Sequence, residues 1–171
     1  MGQSFASRLG MADQDLFLTI LIIAALVSFT VLFHYEGLRV LSAAVQKVRW
    51  NQRARMLAII MGVFLIHVVE IAIYGGAYWF GDVIADIGNF NGNTSLSVRD
   101  LFYFSAETYT GLGYGDISPT GDLRLLVSIE TLNGLLLLGW TTSYTYIAMQ
   151  KYWEEHANGS VLTRPGHIRE P

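Results

Sequence analysis

Gly111, Gly113 and Gly115 alternate through the run Thr-Tyr-Thr-Gly-Leu-Gly-Tyr-Gly-Asp at 108–116. Glycine takes φ on either side of zero without a Cβ penalty. A backbone that does so at alternate residues can aim successive carbonyls the same way, which neither helix nor strand permits. Such a row of oxygens suits an alkali cation that has shed its water. A phosphate loop is the rival reading, but it requires Gly-Lys-Ser/Thr, and no lysine is near. A dinucleotide loop requires a preceding strand in an α/β unit, whereas the neighbours here are long apolar runs.

A second place for chemistry is His67 and Glu70. They are three apart in an apolar stretch and so share one helix face. Charged groups at such a depth are costly and usually turn inward. The pair reads as a proton-sensitive element that affects gating, or as a hydrogen-bonded pair that holds helices together. A zinc site would need two further ligands, which the sequence does not reveal. There is no cysteine, hence no disulfide or thiolate. No nucleophile or metal set converges, so the chain is not expected to be an enzyme or to carry a cofactor.

These residues must be positioned by elements that composition places in a membrane. Of 171 residues, 52% are hydrophobic and 15% charged, against about 25% charged in soluble domains. The net charge of −3 argues against a nucleic-acid partner. The apolar residues collect into three runs. After a short polar segment, 1–15, the stretch 16–35 has no charged side chain apart from an ionisable His34 near its end. Twenty such residues cross a bilayer core of about 30 Å. A signal peptide would need a stronger basic start and a small-x-small cleavage site.

The stretch 36–55 carries Arg39, Lys47, Arg49, Arg53 and Arg55 against one glutamate, with Leu38, Leu41, Val45 and Val48 at helical spacing. It is expected to be a cytoplasmic linker, amphipathic and attractive to anionic lipid. A second span is expected at 56–80. A turn-rich outer loop, 81–97, holds the sequon Asn93-Thr94-Ser95. Ser97 is a plausible N-cap for a short helix at 98–109, too short to cross a bilayer. Irregular backbone after such a helix is allowed at membrane depth only inside protein or beside water. The helix C-terminus turns its partial negative charge toward the place a cation would occupy. A third span is expected at 123–150, containing Glu130, Gly134 and Gly139, and then a tail, 151–171. The two helix glycines offer close packing or a hinge.

Gly111-Leu112-Gly113-Tyr114-Gly115 matches the TVGYG loop of potassium channels at three positions. Over roughly 60–150 the chain resembles the potassium-channel pore family: outer helix, half-spanning pore helix, filter at 110–116, inner helix. The resemblance implies an all-α membrane protein assembled as a homotetramer, with three spanning helices and one re-entrant pore loop per chain. It implies K+ at the carbonyls of Gly111, Leu112, Gly113 and Tyr114, with Thr110 and Gly115 completing the filter. It assigns filter support to Tyr103, Phe104, Glu107 and Asp116. Glu107 and Asp116 would share one proton if close. Gly134 falls near the family's inner-helix hinge, with Gly139 as a second candidate.

There are two departures. The family's inner threonine is Gly111 here, which removes a ring of hydroxyls and weakens or widens the innermost site. The 16–35 helix has no counterpart in two-helix members, and it lacks the arginine spacing of a voltage sensor. The expected function is therefore a potassium-selective channel. A weakly selective K+/Na+ channel is the alternative, and a non-conducting or transporter-associated subunit comes after it. The basic linker puts the chain's start outside and its end in the cytoplasm of a cell-membrane, multi-pass protein.

Overall fold

Asn51 caps α2 (Gln52–Val83) by accepting a hydrogen bond from the Ala54 amide at 2.8 Å. Its extended φ/ψ is that of a normal N-cap. Before it lies α1 (Gly2–Lys47), and after it α3 (Val98–Tyr109) and α4 (Leu123–Leu162). The computed structural model describes residues 2–47, 51–92 and 97–162. Three of its helices are long and apolar enough to cross a membrane: 16–47, 53–83 and 123–151. The protein is all-α and membrane-type, apart from one short ribbon in which β1 (Phe90–Gly92) pairs antiparallel with β2 (Ile117–Pro119).

Helix α1 does not end near Tyr35, and 36–55 is not a separate surface element. No proline interrupts 36–47, so the helix continues. Its apolar stripe is spent on a neighbouring helix: Leu38 and Val45 bury against Ile59 and Val63 of α2. An amphipathic stripe looks the same in sequence whether it meets lipid or a helix. The Arg39–Glu36 ion pair on the other face, at 2.9 Å, is exposed and contributes little. Arg53 and Arg55 lie in the first turn of α2. Arg49 and the sequon at 93–95 fall outside the described residues. Helix α2 runs three residues past the expected end, and α4 continues to Leu162, so part of the expected tail is helical.

Contacts fix the helix directions. Thr19, Thr30, His34 and Ser42 of α1 meet, in that order, Asp122, Asn133, Thr141 and Tyr144 at or in α4. Both sequences ascend together, so α1 and α4 run parallel. Leu38 and Val45 meet α2 at earlier residues than His34 does, so α2 is antiparallel to both. The largest core gathers Tyr74, Tyr78, Leu101, Phe104, Tyr109 and Leu126 between α2, α3 and α4. Helix α3 is wedged there. A Cβ on Gly75 would lie 3.4 Å from the Leu101 carbonyl oxygen, so this glycine is where α2 and α3 approach.

Helix α3 has the bounds read from the sequence, and a capping box starts it. The Ser97 hydroxyl accepts from the Asp100 amide while the Asp100 carboxylate accepts from the Ser97 amide at 3.1 Å. These Ser97 donors hold the exposed Asp100 carboxyl below its ordinary range.

Candidate functional site

Helix α3 ends at Tyr109 with Thr110 as its C-cap, and the chain then changes character. Gly111, Gly113 and Gly115 have φ of +73°, +55° and +79°. This is the alternation that the glycine spacing requires, in a region costly for any residue with a Cβ. All seven residues of 110–116 are exposed on the single chain. Leu112 and Tyr114, at 57% and 68% exposure, are large side chains that a monomer would normally cover.

Glu107 holds the loop twice. Its backbone carbonyl accepts from the Leu112 amide at 2.8 Å and the Gly113 amide at 3.3 Å. Its carboxylate accepts from the Tyr114 amide at 3.0 Å. Tyr103 stacks on Tyr114, with planes 5° apart and centroids at 6.5 Å. Asp116 accepts from the Ile117 amide at 3.1 Å. Each of the two carboxylates thus has its own amide donor, and no hydrogen bond joins Glu107 to Asp116 among the described residues. The Phe104 ring meets Tyr78 and Phe90 at 5.2 and 5.1 Å and so anchors α3 to the core. The Thr110 hydroxyl turns back to the Ala106 carbonyl at 2.8 Å.

The loop is tied at its far end as well. The Thr120 amide donates to the Asn89 carbonyl at 2.7 Å, and the Asp122 amide to that of Ile87 at 2.9 Å. With the β1–β2 pairing, these bonds fasten the segment after the loop to the segment before α3.

Behind the loop, at the C-terminal end of α3, lies a buried polar cluster. The Glu70 carboxylate, fully buried, meets His34 Nδ1 at 2.9 Å and His67 Nδ1 at 3.0 Å, and accepts from the Tyr109 hydroxyl at 2.6 Å. The opposite ring nitrogens, His67 Nε2 and His34 Nε2, both reach Thr141 Oγ at 3.0 and 3.2 Å. One cluster therefore joins α1, α2, the last residue of α3, and α4. His67 and Glu70 do share a face, as their spacing indicates. Sequence reasoning missed His34, Tyr109 and Thr141 as their partners. The one available signal was His34 itself, a lone ionisable ring in an apolar span.

Asn133 makes a second bridge, donating to Thr30 Oγ and Tyr74 Oη, both at 3.0 Å. Glu130, also fully buried, is held by the Tyr78 and Ser105 hydroxyls.

The two inner-helix glycines separate here. A Cβ on Gly134 would lie 2.3 Å from the Tyr109 carbonyl oxygen. Gly134 is thus where α4 packs against the end of α3, the packing use of a helix glycine. A Cβ on Gly139 would meet nothing within 4 Å, which leaves its backbone free of that constraint.

A loop braced from behind, entered from a half-length helix and flanked by two membrane-length helices, defines a pore-type membrane protein. Residues 63–151, just over half the chain, match the family described as "Ion channel", and the protein belongs to that family. No curated protein and no solved structure matches the chain.

Proposed function

We propose that the protein is a potassium channel in which four copies surround one axis and ions pass down their gradient through the 110–116 loops. The observation that carries this reading is the alternating positive φ at Gly111, Gly113 and Gly115, directly after the α3 C-terminus. That alternation suits successive carbonyls aimed to one side, and the helix end adds a favourable field for a cation. Potassium sites form at the carbonyls of Gly111, Leu112, Gly113 and Tyr114, with Thr110 and Gly115 at the ends. One copy supplies one wall, so a closed cyclic assembly is required. The exposed Leu112 and Tyr114 belong at its contacts. Conduction rests on sites that are each moderately favourable, so that ions displace one another. No covalent chemistry or cofactor takes part.

The basic residues Arg39, Lys47, Arg49, Arg53 and Arg55 lie on the cytoplasmic side, near anionic headgroups. The chain start and the 110–116 loop are then outside, in the cell membrane, and α4 ends in the cytoplasm. Gating belongs to α4, which bends or swings at Gly139 and is coupled to α3 through Gly134 and through the His67–Glu70 contacts with Tyr109 and Thr141.

The test is the reversal potential of purified protein in a planar bilayer, with potassium facing sodium. A reversal close to the potassium equilibrium potential supports the reading. A reversal near zero with clear current supports the second reading, a weakly selective cation pore. Gly111 in the place of a threonine hydroxyl ring favours that second reading. An absence of current under all potentials and lipids would overturn both in favour of a non-conducting subunit.

A further inference from the structure

We propose that His34, His67 and Glu70 bind one first-row divalent metal ion of the zinc class, behind the glycine loop and apart from the permeation path. The site stands on the bundle geometry alone and is independent of which ion permeates.

The ligand atoms are already gathered. His34, His67 and Glu70 are all buried, and the ligand atoms they offer all lie within 4.8 Å of one another. Both Nδ1 atoms face the Glu70 carboxylate, at 2.9 and 3.0 Å. Zinc takes imidazole nitrogen and carboxylate oxygen at about 2.0–2.2 Å, so these contacts need to open by only about half an ångström to admit it. The Tyr109 oxygen, 2.6 Å from Glu70 Oε2 and 2.9 Å from His67 Nδ1, stands beside the fourth position. Two imidazoles with one carboxylate suit zinc and its neighbours better than magnesium or calcium.

Proton counting says that a cation belongs there. Neutral imidazole has one N–H and one lone pair. If both rings carry Nε2–H, Thr141 Oγ accepts both and both Nδ1 lone pairs confront the carboxylate. If both carry Nδ1–H, two Nε2 lone pairs confront one hydroxyl with a single proton. A mixed pair satisfies Thr141 but leaves one Nδ1 lone pair about 3 Å from a carboxylate oxygen; where that ring is His67, its Nδ1 and Glu70 Oε2 compete for the single proton of the Tyr109 hydroxyl. In every neutral arrangement the buried carboxylate also lacks a positive partner, which burial makes costly. A divalent ion bonded to both Nδ1 atoms and the carboxylate resolves all of this. Thr141 then becomes the outer partner that fixes both rings through Nε2–H, the usual support of metal-bound histidine. The alternative occupant is a shared proton, with which the metal competes.

Full-length protein in detergent, stripped with chelator, is titrated with Zn2+ by calorimetry and thermal unfolding. The expected result is one Zn2+ per chain, a raised midpoint, and loss of both in His34→Gln and in Glu70→Gln. Thr141→Val should weaken binding about 10- to 100-fold. The double variant His156→Ala/His167→Ala should bind as the unchanged protein does. Binding that disappears in that double variant, or persists in His34→Gln, overturns the proposal. So does an absence of Zn2+ binding, which assigns the cluster to a proton. Should the cluster variants fail to fold, Co2+ added to the unchanged protein decides: a tetrahedral, nitrogen-ligated visible spectrum supports the site, and an octahedral aquo-like spectrum overturns it.

Discussion

Glu70 and Glu130 are both fully buried carboxylates in membrane-length helices, and they are served by different chemistry. Glu70 meets two imidazoles and a phenol: His67 on its own helix, His34 on α1 and Tyr109 on α3. Glu130 meets two hydroxyls, those of Tyr78 and Ser105. The Ser105 hydroxyl has one proton and two acceptors in reach, Glu130 Oε1 at 2.7 Å and the Ile71 carbonyl at 2.8 Å. The difference teaches that burial alone does not mark a functional carboxylate. A group ringed by cation-capable partners from several helices can report or hold a charge. A group ringed by hydroxyls acts as a hydrogen-bonding node, and a neutral isostere can replace it.

The largest effect that would test this contrast is Glu70→Ala. It strands two imidazoles and a phenol in the core and should cost about 3–5 kcal/mol, read by unfolding in detergent. A loss below about 1 kcal/mol would erase the contrast. Gly134→Ala presses on Tyr109, a member of the Glu70 group, and should cost about 1–3 kcal/mol, whereas Gly139→Ala should be tolerated. Thr141→Val removes the hydroxyl shared by both rings while keeping shape, and should cost about 1 kcal/mol.

On the other side of the contrast, Glu130→Gln should change stability by less than about 1 kcal/mol. The amide oxygen accepts from Tyr78, and the amide nitrogen donates to Ser105, freeing that hydroxyl for Ile71. A Glu130→Gln variant as damaged as Glu70→Ala would show that Glu130 also needs its charge.

The smallest effect belongs to an exposed carboxylate, Asp100. Its carboxyl is held below its ordinary value by its Ser97 hydrogen bonds. The capping contribution is therefore complete above the unfolded value and is lost as pH falls through the lower folded one. Amide exchange at the start of α3 should quicken only in that acidic window, and Asp100→Asn should remove most of the pH dependence.

What could be read from sequence divides along the same line. Helix α3, its Ser97 cap and the shared face of His67 and Glu70 follow from spacing within one element, which periodicity reports. The partners of Glu70 on α1 and α3 are 36 and 39 residues away in sequence, and no local pattern encodes them. The length of α1 was misread because Leu38, Leu41 and Val45 form a stripe equally suited to a membrane surface and to α2. Gly134 was ambiguous for the same reason: sequence shows a missing Cβ, and only the position of Tyr109 shows what the Cβ would strike.

The β1–β2 ribbon has a consequence for how this chain can vary. The 110–116 loop is pinned by a helix end on one side and by the ribbon with the Thr120–Asn89 and Asp122–Ile87 bonds on the other. Its contour length is therefore fixed, like a cable cut to fit two posts. Side chains there can be exchanged, but a single inserted or deleted residue has nowhere to be absorbed. Related chains should differ within 110–116 by replacement alone, and change length freely only on the far side of the ribbon.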